Sequence, residues 1–295
     1  MAAADSLAVP AVATPSRTRA RLIWNQLRRN RAGLVGMTIL ALFLMAGAFA
    51  QSLAPHDPYE IALEAGLKKP SATYWLGQDE LGRDLLSRII YGARLSLVIG
   101  AIAVAIGVGV GVPLGALSGY FGGWFDLLLQ RLIDIVLAFP GILLAIVLVA
   151  ILGVGLPQVM VAVGIVSIPT YTRLVRGQVL AMRSQEFVDA ARALGATSSR
   201  IIWHHVLPNA LAVIIVQSTL QFASAILSAA ALGFLGLGAQ PPAAEWGSML
   251  SNARQYIRLA PHSVTFPGVA IMLTVLGFNL LGDAIRDALD PRLRV

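Results

Sequence analysis

IVLAFPGILLAIVLVAILGVGLPQVMVAVGIVSIPTYT, residues 135–172, runs for 38 positions between Asp134 and Arg173 without a charged side chain. A bilayer core is about 30 Å thick and takes about 20 apolar residues, as a helix, because only a helix satisfies its own backbone there. The run is long enough to cross twice, and Gly153-Val154-Gly155-Leu156-Pro157 supplies residues that favour a tight turn between the crossings. Working outward, the remaining apolar stretches predict six spans: 33–52, about 95–118, about 132–153, about 157–172, about 210–235 and about 264–282. Composition agrees. The chain is 57% hydrophobic and 13% charged with mean hydropathy +0.75, against about 25% charged in soluble domains, which excludes a soluble globular protein.

The formal charge of +7 and pI near 10.4 would suggest nucleic acid in a soluble protein. Here the surplus falls on alternate loops. The termini, the second–third and the fourth–fifth connections hold 15 of the 22 Lys and Arg, and the other connections hold 7. The positive-inside rule therefore predicts both termini in the cytoplasm, with membrane lipid and not nucleic acid as the surrounding partner. With no cysteine, disulfides, thiolate metal sites and cysteine nucleophiles are excluded. Residues 1–32 form a cytoplasmic tail carrying Arg17, Arg19, Arg21, Arg28, Arg29 and Arg31, and 33–53 the first span. Ala46-Gly47-Ala48-Phe49-Ala50 imitates a signal-peptidase site, but the apolar stretch exceeds the roughly 7–15 residues of a secretory signal, so an uncleaved span is expected.

Between the first two spans, 54–94 is predicted to lie outside. Within it Leu81, Leu85, Ile89 and Gly92 recur at helical spacing, with Leu86 and Ile90 beside them, while Arg83, Asp84 and Arg88 take the other face. That pattern predicts an amphipathic helix at the interface. A second external segment, 236–263, opens with Gly238-Ala239-Gln240-Pro241-Pro242. It continues through Trp246, Met249, Leu250, Ala253 and Ile257 as a short helix on or dipping into the outer face. At the cytoplasmic end of the third span lie Asp126, Arg131 and Asp134, and the last two are spaced to pair. Pro140 and Pro169 fall inside the third and fourth spans, where neighbouring helices tolerate a kink.

The longest polar insert in the core, EFVDAARALGATSSRIIWHHVLPNA at 186–210, separates the fourth span from the fifth. Ser184 is placed to cap a helix with Glu186 in its first turn and Phe187, Ala190, Ala191 and Leu194 as its apolar face, and Gly195 is the expected stop. A second short helix follows Ser198 or Ser199, with Ile201, Ile202, His205 and Val206 on one side, and Leu207-Pro208 turns the chain into the fifth span. Small residues at 190, 191 and 195 let another protein approach closely. Spacing alone leaves three readings open: a docking elbow, a hairpin resting on lipid, and an imitation of a DNA-binding helical elbow.

These residues resemble the cytoplasmic Glu-Ala-Ala loop of bacterial ABC importer permeases: an acidic residue, two alanines, a glycine four positions on, and Leu-Pro beyond. The matching positions are Asp189, Ala190, Ala191, Gly195, Leu207 and Pro208. Asp189 stands for the usual Glu, and His205 for the usual Ile, so side-chain contacts at those two do not carry over. LGQDELGRDLLSRIIYGARLSL at 76–97, ALGFLGLGAQPPAAEWGSML at 231–250 and FNLLGDAIRDALDPRLR at 278–294 resemble the C-type permeases of dipeptide and oligopeptide importers.

The resemblance implies an all-α membrane protein of the type I importer permease fold. Its core domain is 95–287, with a coupling loop at 184–208, and 288–295 is a cytoplasmic tail. It further implies a multi-pass protein of the bacterial inner membrane that pairs with a homologous B-type permease, sits above two cytoplasmic ATPases and receives peptide from an extracytoplasmic binding protein. The coupling residues would be Glu186, Asp189, Ala190, Ala191, Gly195, His205, Leu207 and Pro208. ATP and magnesium would belong to the ATPases, and this chain would hold no cofactor. The residues agree: a P-loop needs Gly-Lys before Ser or Thr, and the only lysines, Lys68 and Lys69, follow Leu67 in an external loop. No HExxH occurs, and His204-His205, being adjacent, do not share a helical face. A secondary transporter would carry charges central to its spans within an inverted repeat, and neither is visible. Dipeptides or short oligopeptides are the expected cargo, with nickel, glutathione or another small solute as alternatives.

Overall fold

The computed structural model describes residues 26–289. The basic lead before residue 26, with Arg17, Arg19 and Arg21, and the tail after 289 lie outside the described residues. All regular structure among those described is helical, apart from one isolated antiparallel bridge between Gln78 and Asp84. The principal helices are α1 Arg31–Ala48, α2 Leu85–Phe121, α3 Gly123–Leu137, α4 Gly141–Leu152, α5 Leu156–Met182, α6 Glu186–Ala193, α7 Leu207–Phe234, α8 Trp246–Ala253 and α9 His262–Leu289. Five stretches are long and apolar enough to cross a membrane: α1, α2, α5, the run Ser198–Phe234, and α9.

The third predicted span differs. Residues 132–153 do not form one helix, because α3 and α4 meet at 91° around Ala138, Phe139 and Pro140. Pro140 lacks an N–H and drives the residue before it out of the helical region, so the chain breaks there and restarts. The turn at Gly153-Leu156 is where it was expected, with Gly153 and Gly155 at φ +98° and +151° and Gly155 N–H donating to the Leu237 carbonyl at 3.2 Å. Pro169 lies within a continuous α5.

The central seam joins α2 to α5. Gly107, Gly111, Gly115 and Gly119 recur every four residues along α2, on one face. A Cβ built on them would lie 2.2 Å from Ser167 Oγ, 2.7 Å from Ile168 O, 2.4 Å from Thr172 O and 2.8 Å from Arg176 O. Backbones this close gain dispersion contacts that lipid cannot offer, which is why small residues hold membrane helices together. Beyond Gly119 the charges pair between helices: Asp126 of α3 takes Arg176 of α5 in a two-pronged bond at 2.6 Å each, and Asp134 takes Arg173. The expected Arg131–Asp134 pair is replaced by these, because α5 brings guanidiniums within reach of both carboxylates.

The segments expected to lie outside, 54–94 and 236–263, depart most from expectation. Helix α2 starts only at Leu85, where Asp84 accepts from the Ser87 N–H at 2.9 Å, and runs on unbroken into the membrane. There is no separate interfacial helix over 81–92. Arg83, Asp84 and Arg88, expected on a solvated face, are 4%, 2% and 2% exposed. Folding of residues 55–84 over the top of α2 and α8 buries them. Helix α8 is present as expected but lies among helices: Trp246, Met249 and Ala253 are buried with Leu85, Ile89, Ile226 and Ile271, whereas Ile257 is exposed. Trp246 donates from Nε1 to the Ile89 carbonyl at 3.1 Å, and a Cβ on Gly92 would lie 2.7 Å from its ring. Replacing Trp246 by Phe is expected to cost about 2–3 kcal/mol, from a lost buried hydrogen bond and a residual cavity. The thermal unfolding midpoint of the purified protein checks this, and Gly92→Ala should be at least as damaging.

Candidate functional site

The insert between α5 and α7 is built on a buried base. Val188 and Ala191 of α6 are 0% and 8% exposed and pack with Val179 and Met182 of α5 and with Ile201, Ile202 and Val206. Gln185, not Ser184, occupies the cap position, without a side-chain bond. The face expected to be apolar is therefore divided. Ala191 points inward, while Phe187, Ala190 and Leu194 point out, with Leu194 89% exposed. Gly195 does end the helix, at φ +80°, with Ala196 N–H donating to the Ala191 carbonyl at 3.0 Å and open space where a side chain would stand. Only a residue that tolerates a left-handed backbone stops the helix this way.

Beyond Gly195, the Thr197 hydroxyl caps Ser198–Arg200 at 3.4 Å, and the backbone then widens into a π-helical turn over Ile201–Val206. Leu207-Pro208 does not turn the chain, as had been expected, but lies in a continuous helical run from Ser198 to Phe234. Pro208 offers no N–H, and the wider turn before it absorbs the mismatch. Asn209 Nδ2 donates to the His205 carbonyl at 2.6 Å. Leu207 is buried, His205 half-buried and Pro208 exposed. Glu186 and Asp189 are exposed, and Asp189 pairs with Arg192 at 3.0 Å on the loop surface. The exposed Trp203 was not singled out by spacing, because it falls off the face formed by Ile201, Ile202 and Val206. The arrangement is a rigid knob: an apolar tip of Phe187, Ala190 and Leu194, flanked by charges, on a base continuous with α5 and α7.

At the opposite end of the bundle, residues 78–88 form a buried ionic cluster. Arg83 donates from Nε to Asp79 at 2.7 Å and from Nη2 to Glu80 at 3.0 Å. Arg88 Nη1 donates to the Pro58 carbonyl at 2.9 Å, and its Nε faces Asp79 at 3.3 Å without hydrogen-bond geometry. Burial, and then the Asp79 carboxylate, raise the Glu80 pKa above the usual carboxylate range. Burial also raises that of Glu245, although it caps α8 by accepting from Gly247 and Ser248 N–H, each at 2.8 Å. The signal that was available in the sequence was Asp84-x-x-Ser87, a helix start in the middle of what was taken for one periodic stretch.

A family model described as binding-protein-dependent transport system inner membrane component matches residues 111–295, and one described as the N-terminal TM domain of oligopeptide transport permease C matches 18–70. The chain is 52% identical over 274 residues to the dipeptide transport system permease protein DppC of Alkalihalophilus pseudofirmus, covering 93% of this chain and 90% of that one. It is 46% identical over 279 residues to the glutathione transport system permease protein GsiD of Escherichia coli, covering 94% and 92%. Among solved structures, a chain of the inward-facing MetNI methionine ABC transporter superposes with a TM-score of 0.58 at 20% identity, over 70% of this chain and 98% of that one. At that identity the likeness is one of fold.

Proposed function

Because the chain belongs to the family of binding-protein-dependent transport system inner membrane components, a multi-pass membrane permease of the type I ABC importer fold, we propose that it forms half of the translocation pathway of an ATP-driven importer of dipeptides or short oligopeptides. The observation that carries the mechanism is the knob at 186–195. Its apolar tip is exposed while its base is buried among α5 and the start of the Ser198–Phe234 run. A force applied to the tip therefore reaches two membrane-crossing helices directly. Lipid contact would explain an apolar tip but not its flanking by Glu186, Asp189 and Arg192.

The partners we assign are a homologous B-type permease, two cytoplasmic ATPases that bind ATP and magnesium, and an extracytoplasmic binding protein. The knob seats in one ATPase through Phe187, Ala190 and Leu194, flanked by Glu186 and Asp189. Ala191, Gly195, His205, Leu207 and Pro208 shape it from behind. Peptide is preferred as cargo because of the dipeptide permease relative at 52% identity. Glutathione, also a short peptide, is the second reading.

Orientation follows from the charge count, with both termini, Arg17 and Arg192 in the cytoplasm and Lys68 and Arg254 outside. In a chain without cysteine, single-cysteine labelling reads this cleanly: an impermeant reagent should label position 68 and not 192 in intact cells, and labelling of 192 reverses the topology. The function is tested in vesicles containing this chain, its B-type partner, two ATPases and binding protein. ATP hydrolysis should rise with peptide-loaded binding protein and a dipeptide should accumulate. Accumulation by this chain alone, driven by an ion gradient and indifferent to ATP, would overturn the proposal.

A further inference from the structure

Between the ionic cluster and the loop that follows α7 lies a cavity of about 70 Å³, lined by Arg83 and Arg88, by Ser248, Ser251 and Asn252 of α8, and by the backbone around Gln240 and Ala243. One water needs roughly 10–15 Å³ of such space, so the cavity holds several waters, or one carboxylate with the methylene that bears it. Its rim at Gln240, Pro241 and Asn252 is exposed.

The charges in its walls are of one sign. Arg83 and Arg88 line it, and no carboxylate does. Asp79 and Glu80 line a different hollow of about 10 Å³, which shares both arginines and includes Met249 and Ser263. Both arginines pair with Asp79, and Arg83 also with Glu80, but each keeps donors beyond those contacts. Arg83 uses Nε and Nη2 on Asp79 and Glu80, which leaves Nη1 outside those bonds. Toward the cavity Arg88 has only the carbonyls of Pro242 at 3.5 Å and Ala243 at 3.4 Å, the outer limit of hydrogen bonding, although the residue is 2% exposed. Two buried guanidiniums with unfilled donors in a water-accessible hollow form a site that a planar anion fills in two-pronged fashion. Ser251 and Asn252 add neutral hydrogen-bonding groups to the lining. The one further carboxylate nearby, Glu245, has both oxygens engaged by the Gly247 and Ser248 N–H groups at 2.8 Å and does not line the hollow.

We propose that this hollow is a receiving site for one carboxylate, presented from the outer face on the end of a larger molecule. Two sources share that chemistry: the free C-terminus of a short peptide, and an acidic side chain of the binding protein. The external placement rests on the function proposed above, while the anion site itself does not.

The test uses the assembled importer in detergent, with sodium acetate as probe against acetamide and against sodium chloride of equal ionic strength. Acetate is expected to raise the unfolding midpoint of this chain by about 3 °C and acetamide to leave it unmoved. Asn252→Asp sets a carboxylate at the mouth with almost no change of shape, and should abolish the acetate response. Asn252→Ser, which keeps the site vacant, should retain it. In vesicles, Asn252→Asp should lower uptake about tenfold, equivalent to about 1.4 kcal/mol. If the peptide terminus is the ligand, the loss falls on the free dipeptide and spares its C-terminal amide. If the binding protein supplies the carboxylate, both fall together and its stimulation of ATP hydrolysis is lost. An assembled importer indifferent to acetate, with Asn252→Asp transporting normally, would overturn the proposal. Failure of wild-type uptake to need ATP would instead overturn the functional reading and leave the acetate result standing.

Discussion

Leu194→Asp is expected to abolish ATP-coupled uptake while leaving the permease folded and inserted. Leu194 is 89% exposed at the tip of the knob, so in the isolated chain its replacement is a surface change worth at most about 0.5 kcal/mol. If the tip seats in an ATPase, that contact loses about 2 kcal/mol of Leu burial, and the new carboxylate must be desolvated without a partner. Together these weaken association by about 100-fold or more. Leu194→Ala should lose only the first part, about tenfold to thirtyfold. Gly195→Trp adds bulk to the knob, where no neighbouring atom stands in the way of a side chain, at a cost of about 1–2 kcal/mol for φ +80°. Co-purification of the ATPase with each variant measures the effect. Wild-type stoichiometry and normal transport in Leu194→Asp would remove this knob as the coupling contact.

Gly115→Leu is expected to prevent a stable permease from accumulating. A Cβ at that position would lie 2.4 Å from the Thr172 carbonyl oxygen and 3.1 Å from the Arg176 nitrogen, both backbone atoms of α5. No rotamer relieves such a clash, so α2 and α5 must move apart along the seam where Gly107, Gly111 and Gly119 also meet α5. The cost exceeds the roughly 1–3 kcal/mol of ordinary overpacking. Gly109→Leu is the control, since nothing lies within 4 Å of a Cβ there and the side chain would enter lipid or a partner. Size-exclusion profiles of the two variants should separate sharply, with an aggregated or absent peak only for Gly115→Leu. Equal peaks would show that α2 and α5 are not held by close backbone approach.

Much of this was legible in the chain because the bilayer is a strong and uniform constraint. Uncharged runs fix where five helices cross, α5 among them, and the turn at Gly153-Leu156 follows from residue type alone, although the first half of 135–172 breaks at Pro140. The helix stop at Gly195 was readable for the same reason, since a left-handed backbone asks for glycine. Periodicity failed where two explanations give one pattern. Over 81–92 it merged a capped turn with the start of α2, and it assigned Arg83, Asp84 and Arg88 to water because their environment is set by residues as distant as Pro58 and Ala243.

The sequence by itself determined a helical, multi-pass membrane protein, five of its six predicted crossings, and a polar insert carrying the motif of an importer permease. Each follows from side-chain chemistry against a fixed solvent, lipid or water, which local composition reports. The tertiary structure decided which face of the knob is free, with Ala191 buried and Leu194 exposed. It also decided which partners Asp126 and Asp134 take, and that two arginines of an apparently solvated stretch are buried beside a hollow. These depend on which helix surfaces and loops come to lie against one another, and that is set by close packing between segments far apart in the chain, which no local pattern records.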